Sequence, residues 1–399
     1  MVINRKYYVL FFALIWACSE PVSNDAKHVS VIKLDPLLTG EKETVNLSEI
    51  AESIEYISLE TNEQSIFGHI VKPSEQIKFF EKGILISDKN RLLHFSYKGD
   101  FIAEIGKRGM GPTEYADIRD FTVIPSLQQI AVLSPPNQRT YIYDYKGKGT
   151  KNFMVDFWPL HIAGQGDNYV YAIPKGERKP NGYHTLKFLS NDNNSGTQEL
   201  LIDHFDKKSS ESIALSSNQR LYKINDNELS FWEFHYDTIW RISPDRIITP
   251  AFYLDYEENK LPSKYLLEKH VSYQHEQLGK FAGLFGLVES NRFFFFNMTN
   301  KNRLNRIYFD KMQHTGANLR FNRKGNGSGY HFAFYNDMDG GLPFWPHGEM
   351  PDNRVFKLVY PHELLAHFTD KSSAAEIGLP LHSLDKSDNP ILMIVRLKD

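Results

Sequence analysis

Cysteine is almost absent: the 399 residues contain one, Cys18. A lone thiol forms no intrachain disulfide, so the fold must be held by its core. Long hydrophobic runs are missing as well. The apolar stretch from Tyr7 to Trp16 is only about half of what a membrane-spanning helix needs. Nor is there an excess of one charge. The formal net charge is −3, which leaves no basic footprint for DNA or RNA, so no nucleic-acid partner is expected. What the chain does have is aromatics, at 14%, with 28 Phe and 21 Tyr. They fall in short runs, the composition of a β-rich globular protein.

The one cysteine is informative by its position. Asn4-Arg5-Lys6, the apolar run and Ala17 supply the basic, hydrophobic and small-residue parts of an export signal. Ile15-Trp16-Ala17-Cys18 resembles a bacterial lipobox, whose cysteine becomes the lipid-bearing N-terminus. Trp16 departs from the small residue usual there, and a cleavable signal with an incidental cysteine is the competing reading. The expected organisation is a signal peptide over 1–17, a polar tether over 18–44 that stands the protein off the membrane, and one domain over 45–399. Loss of the leader removes Arg5 and Lys6 and no acid, which takes the net charge from −3 to −5.

From about Val45 onward, short apolar runs alternate with turn residues, the pattern of antiparallel meanders. Leu85 to Gly99 realigns on Leu133 to Gly147 at an offset of 48, pairing Leu93 with Tyr141, Phe95 with Tyr143 and Lys98-Gly99 with Lys146-Gly147. Ser96 stands where the second copy has Asp144. A period of about 45 to 50 residues is propeller spacing. Hairpins of the same shape recur at 169–172 with 185–189, 229–234 with 238–242, and 293–298 with 306–310. The fold class predicted is all-β, a six-bladed β-propeller, with a helical insertion near 261–278 and a short helix near 361–368 opened by Pro361. An open ring would expose strand edges. The strand-like runs Ile54 to Leu59 and Ile391 to Leu397 are therefore expected to meet in one blade and close it.

Three stretches carry a family likeness: Ile57 to Asn62 with Gly68-His69-Ile70, Phe101 to Tyr115, and Asn336 to Pro346 with the terminal Asp388 to Met393. Together they resemble the six-bladed β-propeller lipoproteins of Bacteroidota, whose blades are NHL-like. The resemblance spans nearly the whole mature chain. It implies a lipid-anchored place in the cell envelope, at the outer membrane, with membrane contact through a lipid on Cys18. By the company such lipoproteins keep, it also implies a part in glycan capture or utilisation, with a glycan, a peptide or a partner lipoprotein as ligand.

Motifs for chemistry are sparse. In Gly106 to Tyr115, Lys107 is followed by Arg108 instead of Ser or Thr, which rules against a phosphate loop. The stretch reads as an inter-blade loop, with Lys107, Arg108 and Glu114 as ligand-binding candidates if it borders the ring's mouth. Asp337 and Asp339 supply two carboxylates of a possible calcium site but complete no EF-hand, so a hydrogen-bonded turn competes. Trp345, between Pro343 and Pro346, is either a sugar-stacking platform or core packing. Residues 320–330 read as a surface loop, and no zinc spacing is present. No catalytic residues are identified and no cofactor is predicted. A binding or scaffold module is the leading expectation. The alternative is a propeller enzyme, a lyase or hydrolase with a metal or carboxylates in the central channel.

Overall fold

The computed structural model describes residues 29–399 except 89, 174–177, 180–181, 191–197, 203–218, 226–227, 234–236, 263–278, 323–329 and 369–383. The helix expected at 261–278 and the loop expected at 320–330 fall mostly outside these residues, and Cys18 lies wholly outside them.

Six four- or five-stranded sheets form the blades of the propeller. Blade 1 runs outward from the channel as Ile77–Phe80, Gly83–Ser87, Leu92–Phe95 and Phe101–Glu104. Blade 2 is Asp120–Ile124, Gln129–Ser134, Arg139–Asp144 and Gly149–Met154. Blade 3 is His161–Gln165, Asn168–Ala172, Gly182–Ser190 and Gln198–Ile202. Blade 4 is Gln219–Lys223, Leu229–Glu233, Thr238–Ile242 and Ile248–Asp255. Blade 5 is Gly283–Glu289, Phe293–Asn300, Arg303–Asp310 and Thr315–Asn318. Blade 6 is Gly348–Met350, Arg354–Val359, Ile391–Leu397 and, last, Ala51–Ser58.

The expected closure is thus present. Ile57 pairs with Leu392 and Ile54 with Val395 in an antiparallel ladder. Asn389 fastens the same seam, donating from Nδ2 to the Glu60 and Ser65 carbonyls at 2.7 and 3.0 Å.

The core lies between blades, because each sheet is covered on both faces by its neighbours. Middle strands therefore read as unbroken apolar runs, with alternate residues sent to opposite sides. In blade 5, Phe294 and Phe296 pack toward Trp232 and Leu254 of blade 4. Phe293 and Phe295 pack toward Val355 and Met393 of blade 6.

The internal repeat is structural. Gly99 and Gly147 adopt φ of +93° and +82°, values that favour glycine. Each lies against the backbone of the preceding blade, where a Cβ would collide with the carbonyl of Ser58 or Glu104. Their own carbonyls accept from Glu60 N at 2.8 Å and Gly106 N at 3.1 Å. Ser96 does the work of the acid it replaces: its Oγ accepts from Lys98 N and Asp100 N at 3.1 Å. Asp144 Oδ1 accepts from Lys146 N and Lys148 N at 3.0 and 2.8 Å.

One expectation is corrected. The tether placed at 18–44 does not extend past Val29, because Ser30–Lys33 adds a parallel strand to the outer edge of blade 4, pairing Ile32 with Leu254. Ile32 and Leu34 are buried, and a short helix, Asp35–Thr39, follows. An unpaired outer strand edge gains from being covered, and this segment supplies the cover. The helix predicted near 361–368 is Pro361–His367, with Pro361 in its first turn and Glu363 accepting from Tyr360 N at 2.9 Å.

Candidate functional site

A cavity of about 1290 Å³ occupies the channel. Its wall comes largely from the innermost strands and the residues that follow them, such as Phe80-Glu81, Val123, Lys223, Glu289 and Met350. Innermost strands are where polar side chains can enter a propeller without crossing an inter-blade core. Three successive blades each place one there: Lys78, Asp120 and His161, separated by 42 and 41 positions.

Asp120 joins them. Its Oδ1 accepts from Lys78 Nζ at 2.6 Å and from its neighbour Phe121 N at 2.8 Å. Its Oδ2 accepts from Ile162 N at 2.9 Å and faces His161 Nδ1 at 3.3 Å. Lys78 also donates to the Phe121 carbonyl and lies 4.9 Å above that residue's ring. Burial alone would raise the Asp120 carboxyl, but Lys78 and His161 more than offset it and hold it down to about 2. A carboxylate only accepts, so the His161 proton sits on Nδ1. His161 is among the residues that line the cavity, and its Nε2 is buried without a partner.

Two more ionic clusters line the opposite side. Arg220 Nη2 grips both Glu349 oxygens at 2.7 and 2.5 Å, joining blades 4 and 6. Glu289 accepts from Arg241 at 2.5 Å, Lys311 at 2.8 Å and the Tyr222 hydroxyl at 2.8 Å. Burial, reinforced by Glu289, pushes the Tyr222 phenol well up.

The residues singled out from the sequence lie elsewhere. The loop carrying Lys107, Arg108 and Glu114 sits between blades 1 and 2 and borders neither this cavity nor a smaller one beside it. Arg108 donates to the Ala116 carbonyl and Asn90, and Glu114 accepts from Gly111 N at 2.9 Å. Asp337 accepts from Ser48 N and Oγ at 2.9 and 2.5 Å. Asp339 accepts from Asn336, Gly341 N and the Tyr56 hydroxyl. The Asp337 and Asp339 oxygens thus meet N–H and O–H donors in the manner of a hydrogen-bonded turn. Among the described residues, no group of three His, Cys, Asp or Glu is placed to hold a metal. Trp345 is packed at 2% exposure, with Nε1 donating to Asn297 at 2.9 Å and its ring against Phe295 and Phe334. Trp345 is among the residues that line the smaller cavity and not among those that line the larger one.

Lys78, Asp120 and His161 escaped the sequence reading. Their signal is a polar residue recurring at the blade period inside otherwise apolar strands.

Comparison with known proteins agrees with this architecture. A Bacteroides fragilis protein described as exported has a crystal structure that superposes with a TM-score of 0.69 at 17% identity, over 93% of this chain and 100% of that one. A Bacteroides vulgatus member of the DUF4221 family gives 0.52 at 12% identity, over 90% and 99%. Likeness at these identities concerns the fold. No curated protein matches. The model of a family described as a domain of unknown function, DUF4934, matches residues 29–396, and the chain belongs to that family.

Proposed function

We propose that this chain is an exported binding module, held at the outer membrane by a lipid on Cys18, whose channel captures a neutral, hydroxyl-rich ligand such as a glycan fragment. The observation that carries the reading is the charge state of the channel wall. Lys78, Arg220 and Arg354 are each already bonded to a carboxylate, Lys223 and Arg396 donate to backbone carbonyls, and Glu52, Glu55 and Glu81 add acceptors on the same wall. Hydroxyl groups donate to such acceptors without burying a new charge. Phe79 and Tyr97, stacked at 6.5 Å between centroids, offer an apolar face for a sugar ring. Export is supported by the leader and by the exported neighbour.

The test is a thermal-shift screen of residues 19–399 against neutral oligosaccharides, peptides and calcium, with and without chelator. Stabilisation by a glycan recovered intact supports capture. Stabilisation by peptides alone sinks the glycan reading, and a chelator-sensitive melt points to a metal. Cys18→Ser should move the protein from the membrane to the soluble fraction, and an unchanged membrane fraction would remove the lipid anchor.

A second reading, hydrolase or lyase chemistry, has one observation behind it. His161 lines the cavity, and its Nε2, buried and unpartnered, is backed through Nδ1 by a carboxylate, the arrangement of a general base. Its test is the fate of any glycan that stabilises the protein: fragmentation that His161→Gln prevents would make this an enzyme.

A further inference from the structure

The central cavity is not round. At blades 2 to 5 its wall stops at the innermost strand and the residues just after it, as at Val123, Ala163, Lys223 and Glu289. At blade 6 it continues outward through all four strands: Met350, then Arg354 and Phe356, then Arg396, and last Glu55 and Ile57. Neighbouring strands lie about 4.8 Å apart, so the cavity reaches about 14 Å sideways from the innermost one. Blade 1 supplies the facing wall, with Phe79 on its first strand and Tyr97 just beyond its third. At about 1290 Å³, the space also exceeds the roughly 300–1,000 Å³ that encloses one small ligand. The channel thus has a side groove between blades 6 and 1.

The register of blade 6 shows why the gap opens there. Residues directly opposite in a ladder share a face of the sheet. Leu358, Leu392 and Ile57 make one such row, Phe356, Ile394 and Glu55 the next, and Arg354, Arg396 and Ser53 a third. The first row, with Phe356 and Ile394 of the second, is buried against Ile84, Leu93 and Phe95 of blade 1. Beyond that the same face turns polar and charged, which a closed inter-blade core does not tolerate and an open groove does. Glu55 and Arg396 are accordingly exposed. Arg354 is held by Asp352 at 3.2 Å. Among the described residues Arg396 makes one long hydrogen bond, 3.5 Å to the Asp352 carbonyl, and the rest of its guanidinium donors stay open to a ligand. The wall opposite is aromatic: Phe79 packs on Phe356 at 5.2 Å and on Tyr97 at 6.5 Å between centroids. Tyr97 is fixed by donating its hydroxyl to the Phe80 carbonyl at 2.8 Å.

We propose that this groove seats the trailing sugars of a linear, neutral oligosaccharide whose leading end lies in the channel, so that the ligand is a chain of several units and not a single sugar. The inference rests on the glycan reading of the channel. Aromatic side chains suit the apolar faces of sugar rings. An exposed donor, Arg396, and an exposed acceptor, Glu55, on one sheet face suit hydroxyls, which both accept and donate. A chain laid across the four strands of blade 6 meets these groups one after another.

The experiment is isothermal titration of the purified protein with malto-, cello-, xylo- and manno-oligosaccharides, each as the disaccharide and the hexasaccharide. In at least one series the hexasaccharide should bind more tightly than its disaccharide by roughly tenfold or more. The double variant Glu55→Ala, Arg396→Ala removes two exposed side chains and no core contact, and should erase most of that advantage. Equal binding of disaccharide and hexasaccharide would overturn the groove and leave the channel reading standing. Binding of no member of any series would overturn both. A hexasaccharide advantage that survives intact in the double variant would place the trailing sugars elsewhere and overturn the assignment.

Discussion

Asp120 holds four groups in place: the Lys78 ammonium, two backbone N–H groups and the His161 ring. Its folded carboxyl titrates at about 2, below the 3.8 of a free one, so the unfolded chain binds the extra proton between those values. The stabilisation is therefore present above pH 3.8 and lost as pH falls toward 2, by about 2 kcal/mol. Urea melts at stepped pH should show this limb in the wild type and a flatter one in Asp120→Asn. At neutral pH that variant should already be weaker by about 3 kcal/mol, because it leaves Lys78 without its counter-charge. His347 behaves similarly at higher pH. Burial lowers its ring to about 3 from 6.5, so stability is full above 6.5 and declines as pH falls from there toward 3. His347→Asn retains an acceptor for Leu358 N and should flatten that decline. At this scale the sequence is least legible. It yields residue types, but Lys78, Asp120 and His161 meet only after three blades stack, and a loop rich in Gly, Lys and Arg looked more like a site than the channel strands did.

Strands and turns are more legible, because their causes are local. Gly99 and Gly147 announce their turns, and the alternation of the phenylalanines follows from blades covered on both sides. Closure also follows from the sequence, since two strong strand runs at opposite ends of a ring have only each other to pair with. Ile391–Leu397 lies between Arg354–Val359 and Ala51–Ser58, so removing 391–399 takes the middle from blade 6 and strands its outermost partner. The truncated protein should lose its cooperative transition in denaturant melts, and one that melts like the full chain would refute the closure. What the sequence reading passed over is Ser30–Lys33. Its alternation is there, with Val31 exposed and Ile32 buried, but four residues beside a polar tract look like linker until blade 4 presents an edge.

Over the whole molecule, the inter-blade cores form an unbroken circuit: the last core, between blades 6 and 1, is as apolar as the others, with Ile57, Leu392, Ile84 and Leu93 buried in it. An open array of repeats can fray from its ends, because each unit touches only its neighbours. A closed one has no end to fray from. Calorimetry should therefore give one transition with a calorimetric to van't Hoff enthalpy ratio near 1, and a separable low-temperature step would show that the circuit opens before it melts.

The added strand on blade 4 has a consequence for access. Ser30–Lys33 lies at the outermost position of its sheet, with Gln219–Lys223 innermost at the channel. The chain thus joins the propeller at its circumference, as a handle joins a wheel at the tyre and not at the hub. Val29, where the described chain begins, enters at the rim of blade 4, at the far side of that sheet from the cavity.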